Sequence, residues 1–415
     1  MTDTESDQGT PAPRFFRARA VFDGVSGKLI DGVGLLVENG RVTAVGPENE
    51  LVGAAAASAG VEIVDLGDAF VVPGFVDSHT HVTIRPGEGN QHWQLVQPAV
   101  WQTIRGVENL RRMLRSGVTT ARTMTEEHDI DFEFRDAIAR GEVVGPRLLV
   151  SGPGMSPPGG HGSAAGGVAG VGPLREGVQK RAERGANHIK IFTTGGVSSA
   201  GTSLGESNYS AEEIAAIVDE AAKYGLTVGA HAHGGPGVDL PVENGIHTIE
   251  HGALLTDQNV ARMDAAGTWL VLTHTILFHP EGIEQGDAAE PSIIAKVMEA
   301  RASVEAGIHR ILESRIPVAL GTDSMHGYLG FEAEWLVAHG WTPSEALLAL
   351  TRNGGRLLED ETTGTLASGS RADFVVLGAD PLADIRAVYD VVSVYRDGRL
   401  VVAPDGTLTA IAVQP

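Results

Sequence analysis

GFVDSHTH, residues Gly74 to His81, is a run of strand-forming residues that closes on His79 and His81. Side chains two apart on a strand point to the same side. Two histidines separated by one residue therefore aim at one point, and neutral imidazole is the commonest side-chain metal ligand. Seven further short apolar runs also end in polar residues: 117–124, 146–152, 188–194, 226–233, 247–252, 268–274 and 317–324. With 74–81 they make eight candidate strands.

Helical stretches separate them. SAEEIAAIVDEAAKYG (210–225) opens with Ser210 as N-cap and Glu213 three residues later, and closes on Gly225. That is a capping box followed by a glycine stop. TPSEALLALTRNGG (342–355) is built similarly. Strands alternating with helices predict an α/β fold with a parallel sheet. Eight such units point to a (β/α)8 TIM barrel over 73–367, although a doubly wound sheet fits the same alternation.

The two ends follow a different rule. GLLVENGRVTAVG (34–46) alternates apolar and polar residues around Asn39-Gly40, and VSVYRDGRLVVA (392–403) does so around Asp397-Gly398. Both dipeptides are strong hairpin signals. ADFVVLGADP (372–381) adds a strand. Residues 12–72 and 368–415 are therefore expected to form one small β-sandwich domain from both termini. Residues 1–11 are expected as a disordered tail, and AAAASAG (54–60) is the one low-complexity stretch.

Bulk composition excludes several functions. The 415 residues carry a net charge of −22, which disfavours nucleic acid and anionic membrane as partners. There is no cysteine, so disulfides, thiolate zinc sites and a cysteine nucleophile are ruled out. The polar N-terminus does not read as a signal peptide, and no apolar run reaches the length of a membrane span. The expectation is a soluble cytoplasmic protein.

In a (β/α)8 barrel the active site lies at the C-terminal ends of the strands. Those ends carry His79 and His81, Lys190, His231 and His233, His251, His274 and Asp323. A lone histidine at a strand end usually packs, and for His274 that reading is preferred; the signal lies in the set. Lys190 sits in HIKIFTT, otherwise a buried strand, where lysine needs a partner. A carboxylate would be the ordinary one. Beside two cations, however, its amine would be neutral and could add carbon dioxide, giving a carbamate able to bridge two metal ions. Metals roughly 3.5–4 Å apart can share one hydroxide nucleophile and polarise a carbonyl. Asp323, in ALGTDS, could serve as general base and then as general acid to the leaving nitrogen.

At this point the motifs carry a resemblance. VPGFVDSHTH, IKIFTTGGV, AHAHG, IEHG and LGTDS, in this order, resemble the metal-dependent amidohydrolase superfamily. GPRLLVSGPGMSPPGGHG and GTLASGSRADFVVLGADPL strengthen the match. The branch is that of Xaa-Pro dipeptidase-like carboxypeptidases and ochratoxin-type amide hydrolases, and the resemblance runs from about Arg14 to Leu400. It implies that His79 and His81 bind the more buried of two divalent ions, zinc by type. Lys190 would be the carboxylated bridge, His231 and His251 would hold the second ion, and Asp323 would bind the first and shuttle the proton. His233 would stand behind the ligands, and homo-oligomers up to octamers would be common. His161 in GGHG, Tyr209, His233 and His274 are weaker candidates for touching substrate.

Two places depart from the branch. Thr123, in ARTM, stands where an acid is usual, and LTHTI (272–276) replaces a Pro-Thr pair. Both concern substrate rather than ligands.

The leading reading is a binuclear amidohydrolase acting on an N-acyl amino acid, an Xaa-Pro-like dipeptide or an ochratoxin-like amide, a substrate class implied by the resemblance. The alternative is a mononuclear cyclic-amide hydrolase or deaminase of the same superfamily, against which Lys190 argues. A silent barrel used for assembly is a third, opposed by six suitably filled ligand positions. Histidine and carboxylate ligands suit zinc, manganese and cobalt alike.

Overall fold

The computed structural model describes residues 12–55, 60–86, 88, 91–163, 166–287 and 290–411. The expected tail over 1–11 and most of the stretch at 54–60 lie outside the described residues. In chain order the strands begin with β1 (Arg14–Arg17), β2 (Ala20–Phe22), β3 (Leu29–Asp31), β4 (Gly34–Glu38), β5 (Arg41–Gly46), β6 (Glu62–Asp65) and β7 (Phe70–Pro73). There follow β8 (Phe75–Thr80), β9 (Val118–Thr123), β10 (Arg147–Leu149), β11 (His188–Phe192), β12 (Thr227–Ala232), β13 (Thr248–His251), β14 (Trp269–Leu272) and β15 (Val318–Leu320). The chain returns through β16 (Phe374–Leu377), β17 (Val391–Arg396) and β18 (Arg399–Val402).

Strands from both ends do share a sheet. One sheet runs β18-β17-β16-β7-β2-β3 and another β5-β4-β1-β6. Asn39 and Gly40 have φ of +51° and +75°, and Asp397 and Gly398 of +47° and +68°, so both anticipated hairpins turn as the dipeptides require. Phe16 and Leu35 of the smaller sheet bury in one apolar cluster with Val71, Phe374 and Tyr395 of the larger. The next residues along the larger sheet's strands, Val72 and Val375, face the other way into the main core, as strand alternation demands.

The middle of the chain is α/β, as expected. Every one of β8–β15 falls inside the stretch read for it from sequence, and all eight run parallel: β10-β9-β8 in one sheet, β11 to β15 in sequential order in the other. The two sheets touch at both edges through single parallel bridges, Met155 with Ile191 and Thr80 with Asp323. Helices such as Ala99–Arg115, Val171–Arg184, Asp257–Ala266 and Pro291–Glu313 follow the strands. The helix Ala211–Ala222 carries the Ser210–Glu213 capping box. The stretch 342–355 starts with its Thr342–Glu345 box but divides into Pro343–Leu350 and Arg352–Leu357. Thr351 leaves helical dihedrals there (φ −124°, ψ −94°), and its hydroxyl donates to the Leu347 carbonyl instead. No described helix is long and apolar enough to cross a membrane.

Candidate metal centre and active site

The polar residues expected at the strand ends converge. His79 and His81 lie at the end of β8, with their Nε2 atoms 3.4 Å apart. Asp323 follows β15, and its Oδ1 is 3.3 Å from His81 Nε2. Donor atoms of these three residues all fall within 4.8 Å of one another. The seam between the first and last parallel strands fixes this spacing. The Asp323 amide donates to the His79 carbonyl (2.9 Å), and Asp77, two residues before His79, accepts from the amide and hydroxyl of Thr322 at 3.0 and 2.6 Å. Asp323 holds φ at +60° and His251 at +75°, a conformation that non-glycine residues adopt at a cost and that collects at functional sites.

Each of the four candidate ligand histidines has one ring nitrogen tied, which leaves the other available. His79 Nδ1 bonds Glu250 Oε2 at 2.8 Å, His81 Nδ1 the Thr125 carbonyl at 3.2 Å, and His251 Nδ1 the Thr273 hydroxyl at 2.7 Å. His231 instead uses Nε2, on the Gly195 carbonyl at 3.2 Å. A hydrogen bond on one ring nitrogen sets the tautomer and presents the opposite nitrogen to a metal. The His231 and His251 rings stand 4.6 Å apart, and His251 is also 4.6 Å from His79, so the two histidine pairs adjoin.

Lys190 lies close enough to this group to act on its charges. It is 1% exposed, and its Nζ has no hydrogen-bond partner; the Phe192 ring lies 5.0 Å away. Burial pushes its ammonium down to about 8, with Glu250 opposing and Arg122 adding to the fall. Burial likewise drives His81 down to about 3 and His79, His231 and His251 well below the usual imidazole range, with the Lys190 charge contributing to all four. Burial lifts the Asp323 carboxyl to about 7, and Lys190 pulls against it. Neutral imidazoles and a carboxylate form a donor set that fits a divalent metal and that a dry core would leave unsatisfied.

Of the weaker candidates, two reach the site. His161 packs its ring 4.5 Å from His231 with Nδ1 on the Ser199 hydroxyl at 2.6 Å. His233 is buried with both ring nitrogens unpartnered, stacked 5.4 Å from His251. The loop over them depends on glycine: a Cβ on Gly162, at φ +80°, would sit 2.5 Å from the Phe192 ring, and one on Gly196 would be 2.5 Å from His161. Tyr209 and His274 point elsewhere. The Tyr209 hydroxyl donates to the Val168 carbonyl, and His274 packs 4.1 Å from Trp335. The β14 ladder stops at Leu272 and a helix begins at His274, so Thr273 is the residue that meets the site. Thr123, where an acid was missing, donates its hydroxyl to Asp131, which also accepts from the Ser151 and Gly152 amides; that carboxylate ties loops together.

Sequence reasoning passed over Glu250 and Arg122. Glu250 takes His79 on one oxygen and Arg122 (3.0 Å) on the other, with both partners buried. The signal was present: an arginine in VTTART and a glutamate in TIEH are charges inside apolar strands, as Lys190 is.

Around the centre the cavity has two lobes, of about 480 and 400 Å³ counting their open mouths, which share His81, Gln91, His161, Phe192 and Ser198. A sequence profile described as "Amidohydrolase family" matches residues 70–401. An ochratoxinase of Aspergillus niger is 28% identical over 324 residues, 70% of this chain and 67% of that protein. An imidazolonepropionase of Anaeromyxobacter sp. (strain K) is 26% identical over 426 residues, covering 90% and 91%. A solved prolidase complexed with N-methylphosphonate-L-proline superposes with a TM-score of 0.85 at 28% identity, covering 94% of this chain and 99% of that one.

Proposed function

This chain belongs to the amidohydrolase family and is a hydrolase of carbon–nitrogen bonds, and from that premise we propose that it cleaves an amide with two divalent ions, zinc by type. The eight parallel strands would close as a (β/α)8 barrel over 73–367, beside a β-sandwich of 12–72 and 368–415. The single observation that carries the binuclear reading is Lys190, whose Nζ is buried without a hydrogen-bond partner among four histidines. Its neutral amine would add carbon dioxide and release a proton, becoming an anionic carbamate with two oxygens for two ions.

His79, His81 and Asp323 would hold one ion and His231 and His251 the other, each through the ring nitrogen or carboxylate oxygen left free by its tie. When bound, the ions supply an activated water as nucleophile and polarise the scissile carbonyl. Asp323 accepts the water's proton at its carboxylate and delivers it to the amide nitrogen. As the C–N bond breaks, the nitrogen leaves as an amine and the acyl carbon keeps the oxygen as a carboxylic acid. His161 and His233, whose rings flank His231, would donate to the carbonyl oxygen as charge gathers there.

The resemblance further supports a homo-oligomer, up to an octamer. Among substrates it names N-acyl amino acids, Xaa-Pro-like dipeptides and ochratoxin-like amides. The match to an imidazolonepropionase keeps a cyclic-amide hydrolase or deaminase as the second reading. A hydrolysis screen over N-acyl amino acids, Xaa-Pro dipeptides, aryl amides and cyclic amides, with metal analysis on the same sample, tests both. Two ions per chain with cleavage of linear amides is expected. One ion per active chain would overturn the binuclear reading.

A further inference from the structure

We propose that the site takes an uncharged amide, apolar on both sides of the scissile bond and bearing no carboxylate, in departure from the carboxylate-bearing substrates that the resemblance names; this rests on the amide-hydrolase reading above. One lobe is walled by Val197, Ile276, Leu277 and Ile283, the other by Ile84, Leu95 and Phe192. Apart from the candidate ligands and the histidines, the polar groups facing the lobes are neutral, among them Gln91, Ser198 and Ser199. The Ser198 hydroxyl donates to the Gln91 carbonyl oxygen at 2.9 Å.

No lysine or arginine lines either lobe among the described residues, and none of the residues outside the description is lysine or arginine. The nearby cations are already engaged. Lys296 Nζ donates to the carbonyls of Gly196, Ser199 and Thr202, and so pins the loop over the site. Arg301 holds the Leu277 carbonyl and Glu284, while Arg85 holds Asn109 and Glu88. Lys190 stands below among the candidate ligands.

A substrate carboxylate held in these lobes away from the ions would lose its water with no lysine or arginine to meet it, and recognition of carboxylates ordinarily relies on an arginine fork or a lysine. The chain's net charge of −22 adds a repulsive field for any anion approaching the mouth. A neutral amide with an aryl or alkyl group at each end meets apolar walls on both sides and neutral hydrogen-bonding groups between them.

The test compares two amides that differ only in the carboxylate: N-benzoyl-L-phenylalanine and N-(2-phenylethyl)benzamide. With metal-replete protein, kcat/KM for the neutral amide should exceed that for the acid by about tenfold or more, the scale set by an unpaired desolvated charge. Binding of the same pair to Asp323→Asn, measured by calorimetry, should keep that order. Gln91→Arg, which introduces a cation between the lobes, should move the ratio about tenfold towards the acid. A preference for the acid in either measurement, or a ratio unmoved by Gln91→Arg, overturns the inference while leaving the hydrolase reading intact. Tighter binding of the neutral amide with no hydrolysis of either would do the reverse.

Discussion

Replacing Glu250 by glutamine separates what holds the fold from what holds the metal. Glu250 and Arg122 are both fully buried, 3.0 Å apart, and the other carboxylate oxygen takes the proton of His79 Nδ1 at 2.8 Å. Neutralising one partner of a buried ion pair leaves the other uncompensated and costs about 3–5 kcal/mol. Freeing the ring of a ligating histidine costs about 10–100-fold in metal affinity. Glu250→Gln should therefore destabilise the metal-free protein by several kcal/mol and weaken metal binding as well. Adding Arg122→Met removes the stranded guanidinium and should recover most of the stability. The amide that replaces the carboxylate is a weaker acceptor for His79 Nδ1, so metal affinity should stay below wild type in the double variant. Urea unfolding of metal-free protein and competition with a chelator read the two effects independently. A Glu250→Gln protein within about 1 kcal/mol of wild type would refute the buried-pair argument. Full metal affinity in the double variant would refute the orienting role.

Other consequences follow from the same geometry. Glu332 is fully buried, accepts from Thr275, and is pushed by burial from the ordinary 4.5 to about 7. A carboxyl that holds its proton more tightly folded than unfolded contributes stability below its unfolded value and loses it as pH rises through the folded one. Stability should thus decline from about pH 4.5 to about pH 7 on this account, and Glu332→Gln should abolish that decline and gain on the order of 2–3 kcal/mol at pH 8. Thr273→Val removes the hydroxyl from His251 and should lower metal affinity by about tenfold, whereas His274→Leu, away from the lobes' mouths against Trp335, should leave it unchanged in the same titration. Gly162→Ala combines a φ of +80° with a Cβ 2.5 Å from Phe192, and should cost about 1–3 kcal/mol in a thermal or urea melt and misplace His161.

Much of this was legible in the residues because strands leave a strong local trace. All eight parallel strands and both hairpins could be read from apolar runs, capping boxes and Asn-Gly or Asp-Gly pairs, features that act within a few residues. The metal-type residues were legible for the same reason, since each closes such a run. What escaped depends on distance or on dihedral angles. Arg122 and Glu250 are 128 residues apart, and only the fold makes them partners. His274 and Thr273 differ by one position, and where the β14 ladder gives way to a helix decides which faces the site. The left-handed backbone of His251 and Asp323 could not be read from sequence, because aspartate and histidine adopt it more often than most residues but only at a small minority of their positions. That no lysine or arginine lines the lobes among the described residues emerges only once Lys296, Arg301 and Arg85 are seen bonded elsewhere.

The central claim is that Lys190 makes the site binuclear, and metal content per chain in wild type and Lys190→Ala addresses it most directly. The account predicts two ions in the wild type and one in the variant, with hydrolysis lost, because His79, His81 and Asp323 still form a complete set while the second pair loses its shared ligand. Two ions retained in Lys190→Ala, or a single ion in fully active wild type, would contradict it.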